Sequence, residues 1–341
     1  MLFLIQDGIT NGAIYALLGL ALVLVFAVTR VILIPQGEFV TFGALSYAML
    51  CTGNVPGTVW LALAMGCAAF AWDLHAARHA LMSGKIILSA ALNVALPAAI
   101  VAAAYLLAGR GTPIVVNILL ALLIVAAIAL YLYRLAFQPL AHTSVLVLLI
   151  ASVGCHLALQ GLGLVFFGAE GLRGPPLSTA AFTVGDLRFT GQSIAIYAVT
   201  FAFIVALWLF FGITLTGKAL RATAVNRLGA RLVGIRTTLS GQIAFLLAAA
   251  IGAISGILIV PITTLYYDTG FLIGLKGFIA AIIGGLVSYP LTAAAALFVG
   301  IVEAFSSFYA SNYKEVIVFM LLIPVLLLRS LAAPEVEEEK D

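Results

Sequence analysis

The sequence predicts an all-α, polytopic transmembrane helical bundle. Of its 341 residues, 64% are hydrophobic and only 9% are charged, which is too little charge to cover a soluble globule of this size. The apolar residues stand in continuous runs instead of alternating with polar ones, so helices are expected and not a barrel. The 32 glycines suit helices that pack backbone against backbone within a membrane.

Runs of roughly 20 apolar residues are interpreted as membrane-spanning helices. About eleven such runs are predicted, at 9–28, 38–52, 57–72, 86–108, 113–134, 143–167, 190–212, 239–262, 271–287, 290–310 and 314–330. The runs 38–52 and 271–287 are short enough to be re-entrant. We therefore expect a single transmembrane domain over 1–334, followed by an acidic cytoplasmic tail over 335–341.

A polar stretch at about 213–238, hereafter the basic segment, sets the expected orientation. It carries five basic residues and no acidic one: Lys218, Arg221, Arg227, Arg231 and Arg236. Short basic loops stay in the cytoplasm. With an odd number of spans, this places the N-terminus outside and the C-terminus inside. The net charge of +3 is too small, and too confined to loops, to predict a nucleic-acid groove.

Apolar residues recur at helical spacing within the basic segment. Val225, Leu228, Leu232 and Ile235 stand at i, i+3, i+7 and i+10. This spacing predicts one short amphipathic helix. Such a helix either lies on the inner leaflet with its arginines at lipid phosphates or docks in a groove of a partner protein.

The start of the basic segment imitates a nucleotide-binding loop. Gly212, Gly217 and Lys218 have the required spacing, but Ala219 stands where a Ser or Thr must bind magnesium. An apolar span precedes this loop in place of a strand. We therefore expect that the chain is not an enzyme, binds no cofactor, and leaves ATP to separate subunits.

No metal site is predicted either. His75 and His79 stand at i, i+4 with Asp73 nearby, on a loop that also holds Arg78 and Lys85. Three potential ligands on one loop are weak evidence for a metal, so a solvated loop is preferred. The cysteines lack CxxC spacing and are expected to be free thiols: Cys51, Cys67 and Cys155.

Three ionisable residues stand within predicted spans, where a charge must face a polar path or a partner. They are Glu38, Lys276 and Glu303. Similar apolar residues surround Glu38 and Lys276, which suggests weakly related repeats that bring two broken helices to the membrane midplane. The two opposite charges either meet the ends of a zwitterionic solute, pair with each other, or sit at the membrane edges.

Other polar residues in the spans leave two interpretations open. Asn11 and Tyr15 share a helix face, and path lining and packing are equally compatible with this arrangement. His156 and Gln160, at i, i+4, are expected to form hydrogen bonds between helices in preference to contacting a ligand.

Several motifs support a family resemblance. They are NGAIYAL at 11–17, QGE at 36–38, GKALRA at 217–222, ARLVGI at 230–235, GLKGF at 274–278, GG at 284–285 and GIVEA at 300–304. Together they resemble the branched-chain amino acid ABC transporter permease family, and in particular its leucine/isoleucine/valine permease subunit of the H type. Permeases for urea and short amides are close relatives. The resemblance covers nearly the whole chain apart from about 66–117.

The resemblance implies an importer of the bacterial inner membrane. In such a system a periplasmic solute-binding protein delivers the amino acid, two permease subunits form the path, and two ATPases drive transport. The second permease is expected to be a paralogue. The implied ATPase-coupling residues are Arg221, Val225, Leu228, Arg231, Leu232, Gly234 and Ile235. The path candidates are Asn11, Tyr15, Gln36, Gly37, Glu38, Lys276 and Glu303.

The chain departs from the family pattern at three places. Gln36 stands where the family commonly has His, and Leu228 stands where it has a polar or charged residue. Family members usually have one helix where three are predicted here, so about 66–117 is interpreted as an insertion. Competing functions are a permease for urea or short amides, a secondary transporter, and a lipid-embedded scaffold. A secondary transporter would need no cytoplasmic docking loop, so the basic segment favours the ABC permease.

Overall fold

The computed structural model describes residues 1–76, 88, 91–184 and 187–332. Fourteen α-helices are described: α1 Leu2–Thr29, α2 Gln36–Cys51, α3 Thr58–Ala76, α4 Leu96–Leu107, α5 Ile114–Leu132, α6 Val145–Phe167, α7 Gly191–Ile213, α8 Leu215–Val225, α9 Arg227–Leu232, α10 Thr237–Ile259, α11 Thr269–Ile283, α12 Tyr289–Tyr309, α13 Lys314–Met320 and α14 Leu322–Ala332. A π-helical turn, Ala91–Ala95, leads into α4, and another, Tyr133–Phe137, extends α5. A 3-10 turn, Ser311–Tyr313, precedes α13.

The all-α membrane fold is confirmed. The described part of the chain contains eight helical stretches that are long and apolar enough to cross a membrane. Shorter helices lie among them, including α2 and α11, which correspond to the two runs that were predicted to be short. Each of the eleven predicted runs overlaps a described helix, although the ends differ by up to several residues. The number of spans itself remains a prediction.

Helix α1 is the centre of the bundle, and nearly all of it is buried from Gly12 onward, whereas its first two turns are largely exposed. Its most extensive contact is with α12, and it also packs against α10 and α11. Glycines allow this close approach: a Cβ on Gly12 would lie 2.8 Å from the Cα of Leu297, and one on Gly8 would lie 2.6 Å from the Cα of Ile301. In a membrane, such small-residue contacts replace the hydrophobic drive that packs soluble helices. By contrast, α6 and α7 are mostly exposed along their apolar length.

The loop between α6 and α7 contains a feature that the sequence analysis did not predict. Strands β1 Ala181–Val184 and β2 Leu187–Thr190 form an antiparallel hairpin, with Ala181 opposite Thr190. The same loop is tied to the α10–α11 connection, because Leu172 and Leu265 exchange two backbone hydrogen bonds. Hydrogen bonding between loops thus orders this end of the bundle.

The structure corrects three sequence-based expectations. The single amphipathic helix predicted for the basic segment is two helices, α8 and α9, which are separated at Asn226. The Asn226 backbone is extended and its side chain accepts a hydrogen bond from the amide of Gly229, so it caps α9 and stops α8. Asp73 and His75 belong to helix α3 and not to a loop. The run 314–330 is broken at Leu321.

Candidate translocation path and coupling surface

The N-terminal ends of the two short helices α2 and α11 meet in the middle of the bundle. A Cβ placed on Gly270 would overlap the carbonyl oxygen of Gly37, and one on Gly274 would lie 2.9 Å from the Cα of Gly37. Gln36, the first residue of α2, donates a hydrogen bond from Nε2 to the carbonyl of Ala248, halfway along α10. The two short helices are thus in contact, whereas their expected position at the membrane midplane stays a prediction. Half-helices of this kind commonly surround solute sites in transporters.

A cavity of about 330 Å³, hereafter the central cavity, lies beside this junction. Two of its twelve lining residues have polar side chains, Gln36 and His156, and the other ten are apolar residues or glycine. The remaining lining residues are Leu22, Ile32, Leu33, Ile34, Leu149, Val153, Phe271, Gly274, Leu275 and Phe278. The cavity therefore lies between the segment before α2, the first part of α11, and α6.

Glu38 and His156 form a buried pair next to the central cavity. His156 Nδ1 lies 3.0 Å from Glu38 Oε1, and the carboxylate is completely inaccessible to solvent. Neither Glu38 oxygen accepts a well-aligned hydrogen bond from the described residues. The imidazole stacks on Phe271 of α11, with ring centroids 4.3 Å apart. His156 of α6 thus contacts Glu38 of α2, whereas the interhelical hydrogen bonds expected of His156 and Gln160 stay a prediction.

Lys276 and Glu38 do not pair with each other. The Lys276 ammonium lies 2.5 Å from Glu303 Oε1 and 3.2 Å from Glu315 Oε1. The hydroxyl of Tyr15 donates a hydrogen bond to the other oxygen of Glu303. These residues form a second buried charged cluster, which joins α1, α11, α12 and α13. Of the three possibilities left open for the two charges, mutual pairing is therefore wrong.

The path candidates consequently divide into two groups. Gln36, Gly37 and Glu38 belong to the helix junction beside the central cavity, whereas Tyr15, Lys276 and Glu303 belong to the charged cluster. Asn11 is half-buried on α1, one turn before Tyr15. Glu315 was not singled out from the sequence, although a glutamate next to an apolar run is itself a signal that a charge lies at or within a span.

The basic segment presents exposed apolar side chains. Val225 is 86% exposed, Leu228 68% and Leu232 80%, whereas Ile235 is half-buried. Because α8 ends before α9 begins, Val225 lies on α8, Leu228 and Leu232 lie on α9, and Ile235 follows α9, so the four residues do not form one helical stripe. We call this set the apolar patch. Exposed aliphatic side chains of this kind require lipid or a protein partner to cover them.

The arginines of the basic segment differ in their surroundings. Arg227 donates to the carbonyl of Ala141, and Arg231 lies 3.2 Å from Nε2 of His142, so both fasten α9 to the turn before α6. Arg221 is exposed. Gly234, with φ of +86°, reverses the chain after α9, a conformation that favours glycine. The patch is thereby held in a fixed position on the bundle.

The residues considered for a metal have other roles or lie beyond the description. Asp73 receives hydrogen bonds from Arg134 and from Asn93, which commits its carboxylate to a protein network. His79, like Arg78 and Lys85, lies outside the described residues. Among the residues that the structure describes, no group of three potential ligands is close enough to hold an ion.

Comparisons with known proteins agree on one family. Residues 76–326 match the family model for the permease component of the branched-chain amino acid transport system. The high-affinity branched-chain amino acid transport system permease protein LivH of Escherichia coli K12 is 33% identical over 232 residues, which are 64% of this chain and 74% of that protein. LivH of Salmonella typhimurium has the same identity and coverage. The corresponding protein BraD of Pseudomonas aeruginosa is 31% identical over 227 residues, with the same coverage.

Proposed function

The chain belongs to the family of branched-chain amino acid transport system permease components, and we propose that it is the membrane-spanning permease subunit of an ATP-binding cassette importer. The proposed solutes are branched-chain or related amino acids. The observation that carries this proposal is the central cavity, which combines an apolar wall with two buried polar side chains where two half-helices meet. An amino acid with an aliphatic side chain has the same combination of apolar and polar parts.

The apolar patch supports coupling to an ATPase. A cluster of exposed aliphatic residues on a basic segment fits a groove in a soluble partner. The fastening of α9 to the turn before α6 supports this role, since a rigid contact is needed to transmit movement from the partner into the bundle. Two ATPase subunits, which bind the ATP, are proposed for each importer.

The remaining parts of the proposal come from family membership. They are a second, paralogous permease subunit, a periplasmic solute-binding protein, and residence in a bacterial inner membrane with the N-terminus outside. A polar recess of about 550 Å³ beside the start of α1 and the hairpin, at the opposite end of α1 from the basic segment, suits the delivery side. The proposed domain organisation is a single transmembrane domain over 1–334, with an insertion at about 66–117, followed by a cytoplasmic tail at 335–341.

The alternative functions predict different cavities or surfaces. A urea or short-amide permease needs polar groups all around a small solute, whereas the central cavity is mostly apolar. A secondary transporter gives no reason for an apolar patch on the cytoplasmic basic segment. A scaffold protein gives no reason for a cavity lined by buried polar groups. The aliphatic amino acid is therefore the preferred solute.

The test is uptake of labelled leucine in cells that lack their own branched-chain permeases and receive the complete transport system of this chain. We expect leucine uptake to disappear when this chain is omitted. We also expect isoleucine and valine, but not urea, to inhibit leucine uptake. Uptake of labelled urea in place of leucine would support the amide permease instead. Uptake that survives loss of the ATPases but collapses with a protonophore would support a secondary transporter.

A further inference from the structure

Gln36, which lines the mostly apolar central cavity, has an unused hydrogen-bond acceptor. Gln36 is only 1% exposed, and its Nε2 is committed to the carbonyl of Ala248, which identifies the other amide atom as oxygen. That oxygen, Oε1, has no partner among the described residues. Buried polar atoms are nearly always satisfied, so an unpartnered acceptor beside a cavity indicates a place for a donor.

His156 supplies a second acceptor from the facing helix. His156 is 6% exposed and lines the cavity, and Nδ1 is the nitrogen that faces Glu38. With the proton on Nδ1, Nε2 is an acceptor. Stacking on Phe271 holds the ring, so the orientation of Nε2 is fixed by both neighbours.

Among the described residues, no lysine or arginine pairs with the Glu38 carboxylate beside the cavity. Glu38 is fully buried, and Lys276, the basic residue of α11, is committed to Glu303 and Glu315. Asp268, at the start of α11, adds a further negative charge to the surroundings of Glu38. A buried carboxylate is stable only when a positive group or several donors compensate for it.

We propose that the central cavity binds the α-ammonium group of the solute, with Gln36 Oε1 and His156 Nε2 as acceptors and the branched side chain against the apolar wall. This inference rests on the proposed import function and deepens it. Glu38 is then a positioning residue, which orients the imidazole and supplies the compensating negative charge. A volume of about 330 Å³ lies within the range of small-molecule pockets.

The test uses two probes that each keep one end of leucine. The amine 3-methylbutylamine has the branched chain and the ammonium group, and 4-methylpentanoate has the branched chain and a carboxylate. Thermal unfolding of the full-length chain in lipid nanodiscs, without its partners, measures binding directly, since a ligand that binds the folded state raises Tm. We expect the amine, and not the acid, to raise Tm.

Three variants locate the site. Glu38→Gln should remove the preference for the amine, and His156→Phe, which keeps the stack on Phe271, should weaken amine binding on the order of ten- to hundredfold, the range for one hydrogen bond to a charged group. Val153→Trp should abolish binding by filling the cavity, since Val153 lines it. The matched control is Ile150→Trp on the same helix, because Ile150 is exposed and does not line the cavity.

The outcomes separate the inference from the proposed function. Equal stabilisation by both probes, stabilisation by the acid alone, or no effect of Val153→Trp beyond that of Ile150→Trp would overturn the ammonium site. If the wild-type system imports leucine while neither probe stabilises the chain, the inference fails and the import function stands. If leucine is not imported but the amine binds as expected, the proposed solute fails and the ammonium site stands.

Discussion

Lys276 of α11 and Glu303 of α12 form a buried ion pair in which the ammonium nitrogen lies 2.5 Å from Oε1. Glu315 approaches the same nitrogen to 3.2 Å, and the ring of Tyr15 lies 5.9 Å away on α1. Together with Tyr15 and Glu315, the pair therefore joins the central helix α1 to α11, α12 and α13. It also separates Lys276 from Glu38, whose partner is His156, so the two opposite charges in the two short helices serve different clusters.

Neutralising Lys276 should destabilise the bundle more than neutralising Glu303. Lys276→Met leaves the buried Glu303 carboxylate without a cation, while Glu315 keeps only Lys314, at 3.9 Å. We expect this to lower the free energy of unfolding by about 3–5 kcal/mol. Glu303→Gln leaves Lys276 paired with Glu315, so we expect a smaller decrease in the free energy of unfolding. Thermal unfolding of the purified variants in detergent measures both. The double variant should be more stable than Lys276→Met alone, because the excess negative charge is reduced.

The separation of Lys276 and Glu38 into two clusters also predicts which substitutions affect stability independently of each other. Glu38→Gln and Lys276→Met should have additive effects on stability, because the two residues have no shared partner. Recovery of the Lys276→Met variant by Glu38→Gln would show that the two charges are coupled and would contradict the assignment of separate clusters.

The chain by itself should hydrolyse no ATP. Ala219 occupies the position of the magnesium-binding hydroxyl, and the helix α7, not a strand, leads to Gly212. In liposomes that contain only this chain, vanadate-sensitive phosphate release should equal that of empty liposomes. Adding the ATPase subunits should restore turnover, and turnover without them would contradict the assignment as a permease subunit alone.

Leu232→Asp should uncouple transport from ATP hydrolysis without preventing membrane insertion. A charge in a desolvated contact is expected to weaken ATPase docking by about 2–4 kcal/mol. Co-purification of the ATPases with the variant measures docking. Leu215→Asp is the control, since Leu215 is 85% exposed on α8 and lies outside the apolar patch. Normal yield of the ATPases with Leu232→Asp would indicate that the patch lies on lipid.

Gly270→Ala should disrupt the junction of α2 and α11. The added Cβ would overlap Gly37 O and the hydroxyl oxygen of Thr41, so the two helix ends must separate, at an expected stability loss of about 1–3 kcal/mol. Leucine uptake at matched expression is the functional measurement. Gly161→Ala is the control, because a Cβ there meets no atom within 4 Å and alanine favours helix. Equal uptake in both variants would show that close contact at the junction is dispensable.

Much of the fold follows from the sequence because span length and apolarity are local properties. A run of roughly 20 apolar residues specifies a membrane helix whatever its neighbours are, so the long helices α1, α5, α6, α7, α10 and α12 could be placed from composition alone. The family resemblance, which rests on short motifs, is confirmed by the match over 76–326. The break between α8 and α9 at Asn226 could also have been predicted from the sequence, because Asn is a preferred helix N-cap.

Only the tertiary structure decided which polar groups meet. The sequence placed Glu38, Lys276 and Glu303 in spans, but their partners depend on which helices adjoin and how each is rotated about its axis. Those are settled by non-local contacts, such as the approach of Gly37 to Gly270 and of Gly12 to α12. For this reason, only the tertiary structure shows that His156 is the partner of Glu38 and that Glu303 is the partner of Lys276. It also shows that Gln36 lines the central cavity.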